Sequence, residues 1–227
     1  MTIELRKYDS TWKQQFECEK QKILTAAGNW IIAVEHIGST SIPNMRAKPT
    51  IDIAIGVTSL SLADQHLLNL FEKWNYLYLQ KLEAHIPERR YLQKLDAEGR
   101  HLFHLHILLH DDELWKNHLR FRNHLISHPE EAKAYAALKR ALKKKCANNR
   151  EQYTLGKKEF VESILLEASL LEHEVPVQKK LTAEQIKLLT MSGRRKLVPE
   201  YLELVQSGAF AGGTDSSVMI SKDRDQW

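Results

Sequence analysis

The run Thr50-Ile51-Asp52-Ile53-Ala54-Ile55-Gly56-Val57 constrains the fold of this chain more than any other segment. It is too short for an ordinary helix, rich in β-branched residues, and apolar on both alternating faces except at one position. Ile51, Ile53 and Ile55 share one face, and Asp52 and Ala54 the other. A strand of this kind belongs inside a sheet, and the sheet must then provide for a carboxylate. Burying an ionised carboxylate without a partner is costly, so Asp52 calls for a metal ion, a cation or donor amides. An ion pair with Arg46 or Lys48, or a hydrogen bond to the preceding turn, is the plain structural alternative.

Other runs supply the rest of the sheet. Trp30 to Ile37 reads as a buried strand that ends at the turn Gly38-Ser39-Thr40-Ser41. In Leu102 to Leu109, Phe103, Leu105, Ile107 and Leu109 alternate with His104 and His106, so both imidazoles leave one face. Tyr76 to Lys81 and Arg89 to Leu95 are spaced to pair as a hairpin across a loop containing Pro87.

Helical spacing fills the gaps. Ser10 to Ala27 turns Trp12, Phe16, Ile23 and Leu24 inward, and Leu60 to Trp74 does the same with Leu62, Leu67, Leu70 and Phe71. From Asp111 onward the pattern is helical. Ser127 and Glu130 around Pro129 predict a capping box opening a helix towards Lys145, and a further amphipathic helix is predicted from about Glu151 to Glu172. The order implies an α/β or α+β fold, a mixed sheet flanked by helices with a helical carboxy-terminal third. The expected division is a domain over residues 1–174 and a helical to flexible tail over 175–227, where Gly208, Gly212 and Gly213 gather with hydroxyl residues.

Composition removes several function classes. With 227 residues and 43% hydrophobic content the chain can bury one substantial core. Its 33 basic and 29 acidic residues leave a net charge of +4, too even a balance to make nucleic acid an expected partner. Lys139-Arg140 with Lys143-Lys144-Lys145 lacks interleaved aromatics and reads as a solvated helix face. Cys18 and Cys146 are too far apart for a metal or redox motif, which fits free thiols in a reducing compartment. The amino terminus lacks the apolar core of an export signal, and no apolar run approaches the ~18 residues a membrane span needs. The expectation is a cytoplasmic protein with no membrane partner.

Three groups of residues carry candidate chemistry. Gly38 lets the backbone approach a ligand closely, and the Ser39 hydroxyl with the amides towards Thr40 can hold phosphate oxygens, although Gly-Ser after a strand is usually only a turn. Asp52 is a candidate metal ligand. His104 and His106, two apart on one strand face, can share a metal, or hold phosphate while moving a proton. Their alternative is the solvated face of an edge strand. Arg46 and Lys48 lie between turn and carboxylate, where they can neutralise phosphate charge, and Arg90 and Lys94 on the hairpin are expected near the same cleft.

A Gly-Ser turn after one strand, an acid on the next and metal-capable residues on a third is the layout of the nucleotidyltransferase superfamily. More narrowly, the stretch from about Leu5 to Leu171 resembles the GrpB family, assigned to that superfamily by fold. The matching pieces begin with Tyr8-Asp9-Ser10-Thr11-Trp12 and Phe16, Glu35-His36-Ile37-Gly38-Ser39-Thr40-Ser41-Ile42-Pro43, and Lys48-Pro49-Thr50-Ile51-Asp52-Ile53. They continue with His104-Leu105-His106-Ile107, Phe121-Arg122, His128-Pro129-Glu130, Tyr135 with Leu138-Lys139, and Tyr153 with Lys157 and Phe160.

The resemblance implies a nucleotidyltransferase-like fold and binding of a nucleotide or other phosphorylated small molecule. It further implies a divalent metal, magnesium or manganese with zinc as the alternative, for nucleotidyl or phosphoryl transfer through Asp52, His104 and His106. Active superfamily members usually place a second acid two residues beyond the first, and this chain has Ala54 there. Two other readings therefore stand beside transfer. One is a non-catalytic nucleotide-binding or accessory module linked to coenzyme A metabolism, since the family is found joined to dephospho-CoA kinase. The other is a metal-assisted phosphohydrolase. The chain has no Gly-rich loop ending in Gly-Lys-Ser or Gly-Lys-Thr, so no kinase of its own is expected.

Overall fold

Five strands make the sheet, and its middle is built from the segments that are most apolar in the sequence. A computed structural model describes residues 4–146 and 149–172. The chain divides into two compact units, one ending at Arg140 and the other beginning at Ala141.

The first unit opens with α1 (Thr11–Ala27), β1 (Ala33–Ile37), β2 (Ile51–Val57), α2 (Leu60–His66) and α3 (Leu68–Lys73). There follow β3 (Tyr76–Tyr78), β4 (Arg89–Leu95), β5 (His101–Leu109), α4 (Glu113–Ser127) and α5 (Pro129–Cys146), the last of which runs past Arg140. The strand order is β1-β2-β5-β4-β3. β2 and β5 are parallel, and the remaining pairs are antiparallel, so the sheet is mixed.

Period-two alternation gives the two faces opposite characters. Ile51, Ile53, Ile55 and Val57 of β2, Leu105 and Ile107 of β5, Leu92 of β4 and Val34 of β1 form the apolar face. Trp12, Phe16 and Ile23 of α1 with Ala63, Leu67 and Phe71 of the α2–α3 segment pack against it. Glu19 is buried in the same layer, where Tyr76 donates its hydroxyl hydrogen to the carboxylate at 2.8 Å. The opposite face carries Glu35, Asp52, His104, His106, Gln93, Tyr91 and Arg89.

Several expectations change in detail. β1 is an edge strand, not a buried one, and the preceding Ile32 is 49% exposed. The helix expected from Leu60 to Trp74 breaks into α2 and α3 at Leu67, and within α2 Ala63 faces the core while Leu62 lies at the surface. Ser127 does not cap α5. It ends α4, and its hydroxyl donates back to Asn123 O at 2.8 Å, leaving Pro129 to start the next helix.

The second unit contains α6 (Arg150–Leu155) and α7 (Lys158–Glu172) where one helix was expected. Asn149 caps α6 by accepting from Gln152 N–H at 2.9 Å, and the interruption falls at Gly156-Lys157. Gly156 lies so close to Leu142 that a Cβ there would meet the leucine Cδ2 at 2.4 Å. The tail over residues 175–227 lies outside the described residues.

Candidate functional site

Strand register lines up the polar face in rows. One row reads Ile37, Asp52, His104, Gln93 from β1 to β4, and the next reads Glu35, Ala54, His106, Tyr91. A third reads Ala33, Gly56, Leu108, Arg89. Asp52 and His104, 52 residues apart in sequence, are thus direct neighbours on parallel strands.

The side chains follow the register. His104 Nδ1 lies 3.1 Å from Asp52 Oδ1, and His106 Nε2 lies 3.9 Å from the same oxygen. On its far side His104 Nε2 is 3.1 Å from His101 Nδ1, so a chain of polar contacts runs from the carboxylate through two imidazoles. β5 is the central strand and His104 and His106 are buried, which removes the edge-strand reading of this pair.

Burial pulls the His106 pKa down to about 4, because the imidazolium would lose its water there, and Arg89 acts in the same direction while Asp52 opposes both. At neutral pH this ring is uncharged and keeps a lone pair for a proton or a cation. The Tyr91 ring stands beside both histidines, at centroid distances of 5.4 Å and 5.2 Å, and the Arg89 guanidinium lies 4.9 Å from its centre.

Helix α4 covers this face, and a glycine admits it. Gly56 of β2 lies under Trp115, so a Cβ there would come within 3.1 Å of the indole and 2.8 Å of His110. Further along α4 the His118 ring sits 5.4 Å from that of His106. Arg122 then reaches β1, donating to Glu35 Oε2 at 2.5 Å and to His36 O at 2.9 Å.

Glu35 stands opposite Ala54, the position where a second acid is absent, so β1 supplies a carboxylate on the same face. Asp52 is its diagonal neighbour, at the spacing of about 7–8 Å that long side chains can bridge.

The turn after β1 adjoins Asp52, since Ile37 is the register partner of Asp52. Gly38 adopts φ 73°, a left-handed conformation that suits glycine, and Ser39–Ser41 form a single 3-10 turn. Ser41 donates both its amide and its hydroxyl hydrogen to Gly38 O, at 3.3 Å and 2.6 Å. Thr40 Oγ1 is 3.0 Å from His36 Nε2 and donates to Thr50 O at 3.4 Å, which ties the turn to the residue preceding β2. The Thr40 hydroxyl is therefore committed to structure. Ser39 is buried, and its hydroxyl makes no hydrogen bond among the described residues.

The basic loop is anchored rather than loose. Arg46 and Lys48 are half-buried on it, Ala47 exchanges backbone hydrogen bonds with Arg6 at 2.9 Å and 3.2 Å, and Lys139 Nζ donates to Arg46 O at 2.5 Å. Lys139 is thus a buried tie, not part of a solvated basic face. Arg90 and Lys94 turn the other way: Arg90 forms a bidentate pair with Asp64 of α2 at 2.7 Å and 2.9 Å, and Lys94 Nζ lies 3.8 Å from Glu19. Neither shares the face of Asp52.

One group was missed in the sequence and stands out in the fold. Gln93 is the register partner of His104, is 6% exposed, and its Oε1 has no hydrogen-bond partner among the described residues. An unmet buried acceptor costs about 1–3 kcal/mol. The available signal was the alternation Arg89, Tyr91, Gln93 along β4, which places all three on one face.

Comparison with known proteins agrees with this architecture. The family described as GrpB protein matches residues 2–167. The protein YqkA of Bacillus subtilis is 38% identical over 161 residues, covering 71% of this chain but only 46% of YqkA, so the chain spans about half of that relative. The glutamate-rich protein GrpB of Alkalihalophilus pseudofirmus is 32% identical over 161 residues, which covers 70% of this chain and 92% of the relative. A crystal structure of the conserved protein GrpB from Enterococcus faecalis superposes with a TM-score of 0.65 at 34% identity, covering 73% of this chain and 96% of that one.

Proposed function

The chain belongs to the GrpB family, whose fold is nucleotidyltransferase-like, and from that premise we propose that it binds a nucleotide or another phosphorylated small molecule together with a divalent cation. Asp52, His104 and His106 are the cation ligands in this reading, and the Gly38-Ser39-Thr40 turn with Arg46 and Lys48 takes phosphate. Thr40 contributes through its backbone. The observation that carries the reading is the buried carboxylate oxygen of Asp52 with ring nitrogens of two histidines at 3.1 Å and 3.9 Å.

The donor set fits a borderline cation. One carboxylate and two imidazoles suit manganese or zinc better than magnesium, which prefers an all-oxygen shell. His101 behind His104 supplies the kind of outer contact that orients a ligating ring. Bound there, the cation would polarise a phosphoryl oxygen and offset its charge, the chemistry of nucleotidyl or phosphoryl transfer. The protein's own part is to hold phosphate beside Asp52 and exclude water under α4. Glu35 adds a second carboxylate at the place Ala54 leaves bare.

A specific observation favours a second reading. Ala54 is fully buried and Glu35 is engaged with Arg122, which lowers the negative charge available for a pair of metals. In that case the protein is an accessory module that holds its ligand unchanged.

Calorimetric titration with manganese, zinc and magnesium, each with and without nucleoside triphosphates, separates these outcomes. The expected result is cation-dependent nucleotide binding that Asp52→Asn weakens roughly tenfold or more, the scale of losing one charged contact. Binding of both cation and nucleotide unchanged in that variant would sink the proposal. Recovery of unaltered nucleotide after long incubation with the cation selects the accessory reading.

A further inference from the structure

Gln93 is buried beside His104 with an acceptor that meets no donor among the described residues, and we infer that it is a specificity-determining residue. Its carboxamide oxygen accepts a hydrogen bond from an N–H or O–H group of the ligand held at Asp52. The inference rests on the proposed reading of that site and adds to it the chemistry of the ligand's far end.

Three observations converge on the inference. The row Asp52, His104, Gln93 crosses three adjacent strands in register, so the carboxamide and the carboxylate flank the same imidazole on one face. Gln93 lies in the interior, where a glutamine is normally satisfied by a neighbour, and its Oε1 has none among the described residues. The nearest polar company does not repair this. His104 uses its two nitrogens on Asp52 and His101, both on the side away from β4 or along its own strand.

A purely structural position of this kind would be better filled by an apolar residue of the same length. Tyr91 and Leu92, the two residues before it, show that β4 accepts large buried side chains at neighbouring positions. The presence of a carboxamide is explained when its partner arrives with the ligand. A site that offers a buried acceptor also discriminates strongly, because a ligand lacking the donor leaves the acceptor unmet in the complex.

The ligand class that follows is a phosphorylated molecule with a donor group set apart from its phosphate. Phosphate would lie at the Gly38 turn beside Asp52, and the donor on the β4 side of His104. Nucleotides, with sugar hydroxyls and base amines, belong to this class, and inorganic pyrophosphate does not.

The test uses Gln93→Met, close to isosteric but lacking the carboxamide, with the fully apolar Gln93→Leu as a second variant. Thermal unfolding of the full chain without ligand is compared with wild type. Affinity is then measured for ATP, GTP, CTP, UTP and inorganic pyrophosphate in the presence of manganese. The expected result is a midpoint raised by about 2–4 °C in at least one variant, as removal of an unmet buried acceptor predicts. Nucleotide affinity should fall roughly tenfold or more, with pyrophosphate affinity unchanged.

Lower stability in both variants makes Gln93 a structural carboxamide satisfied by internal water, and overturns the inference. Nucleotide affinity equal to wild type overturns it as well. Either result leaves phosphate binding at Asp52 standing. Wild-type protein that binds none of the five probes overturns the phosphate reading itself, and the inference with it.

Discussion

At the scale of single residues, the fold is most sensitive where an ionisable ring has been moved away from water. His36 is half-buried, stacks on Phe16 at 4.7 Å, and has its pKa lowered to about 4, first by burial and then by Arg122, with Asp52 opposing. The unfolded chain binds a proton on this ring near pH 6.5 and the folded protein does not until about pH 4. Between those values the unfolded state holds more protons, so stability falls as pH is lowered, by up to about 1.4 kcal/mol per pH unit for this one group. Urea unfolding at pH 7, 6, 5 and 4.5 should show His36→Gln losing less stability than wild type over that range. Parallel profiles would contradict the assignment.

Asp52, His104 and His106 were legible in the sequence as candidates, because an acid inside an apolar strand and two histidines in alternation are visible one strand at a time. The positions of Glu35, Arg122 and Gln93 around this row were not legible. They depend on which strand lies beside which and on where α4 crosses, and no local spacing records either.

Among elements, the contact between α4 and the sheet is decided at Gly56. Strand interiors normally disfavour glycine, and here it clears room for Trp115. Gly56→Ala should therefore destabilise the protein by about 1–3 kcal/mol, the cost of overpacking a tight contact, and chemical denaturation reads it directly. A neutral effect would show that Trp115 and His110 can give way.

The three strong strands and α1 were recognisable because their apolar periodicities are unbroken. The breaks at Leu67 and Gly156, and the failure of Ser127 to cap, were hidden. Each involves a helix that the sequence could have continued, and only the packing of Leu67 into the core, or of Gly156 against Leu142, ends it. Arg90 and Lys94 were assigned to the wrong face for a related reason. Alternation shows that they share a face with each other, and only the paired strand shows which face that is.

Over the whole molecule, protection should follow position in the sheet. β2 and β5 are bonded on both sides, while β1 and β3 are edges. Hydrogen-exchange mass spectrometry of the full chain should find the slowest amides in β2 and β5 and markedly faster exchange in β3. Equal protection of all five strands would contradict the strand order. The mixed sheet, the flanking helices and the run of helices from Glu113 to Glu172 were readable from the order of elements. The placement of β5 between β2 and β4 was not, because a chain that runs β2, β3, β4, β5 does not announce which strand closes the gap.

That placement has a kinetic consequence. Asp52 is made early and His104 much later, and the two meet only when the β4–β5 hairpin docks against β2. Closing a long loop is slow relative to local pairing, so the contact between Asp52 and His104 is expected to form late in folding. A ligand gripping both residues would act as a clasp across that late seam, prolonging the lifetime of the folded chain by stabilising only its completed state.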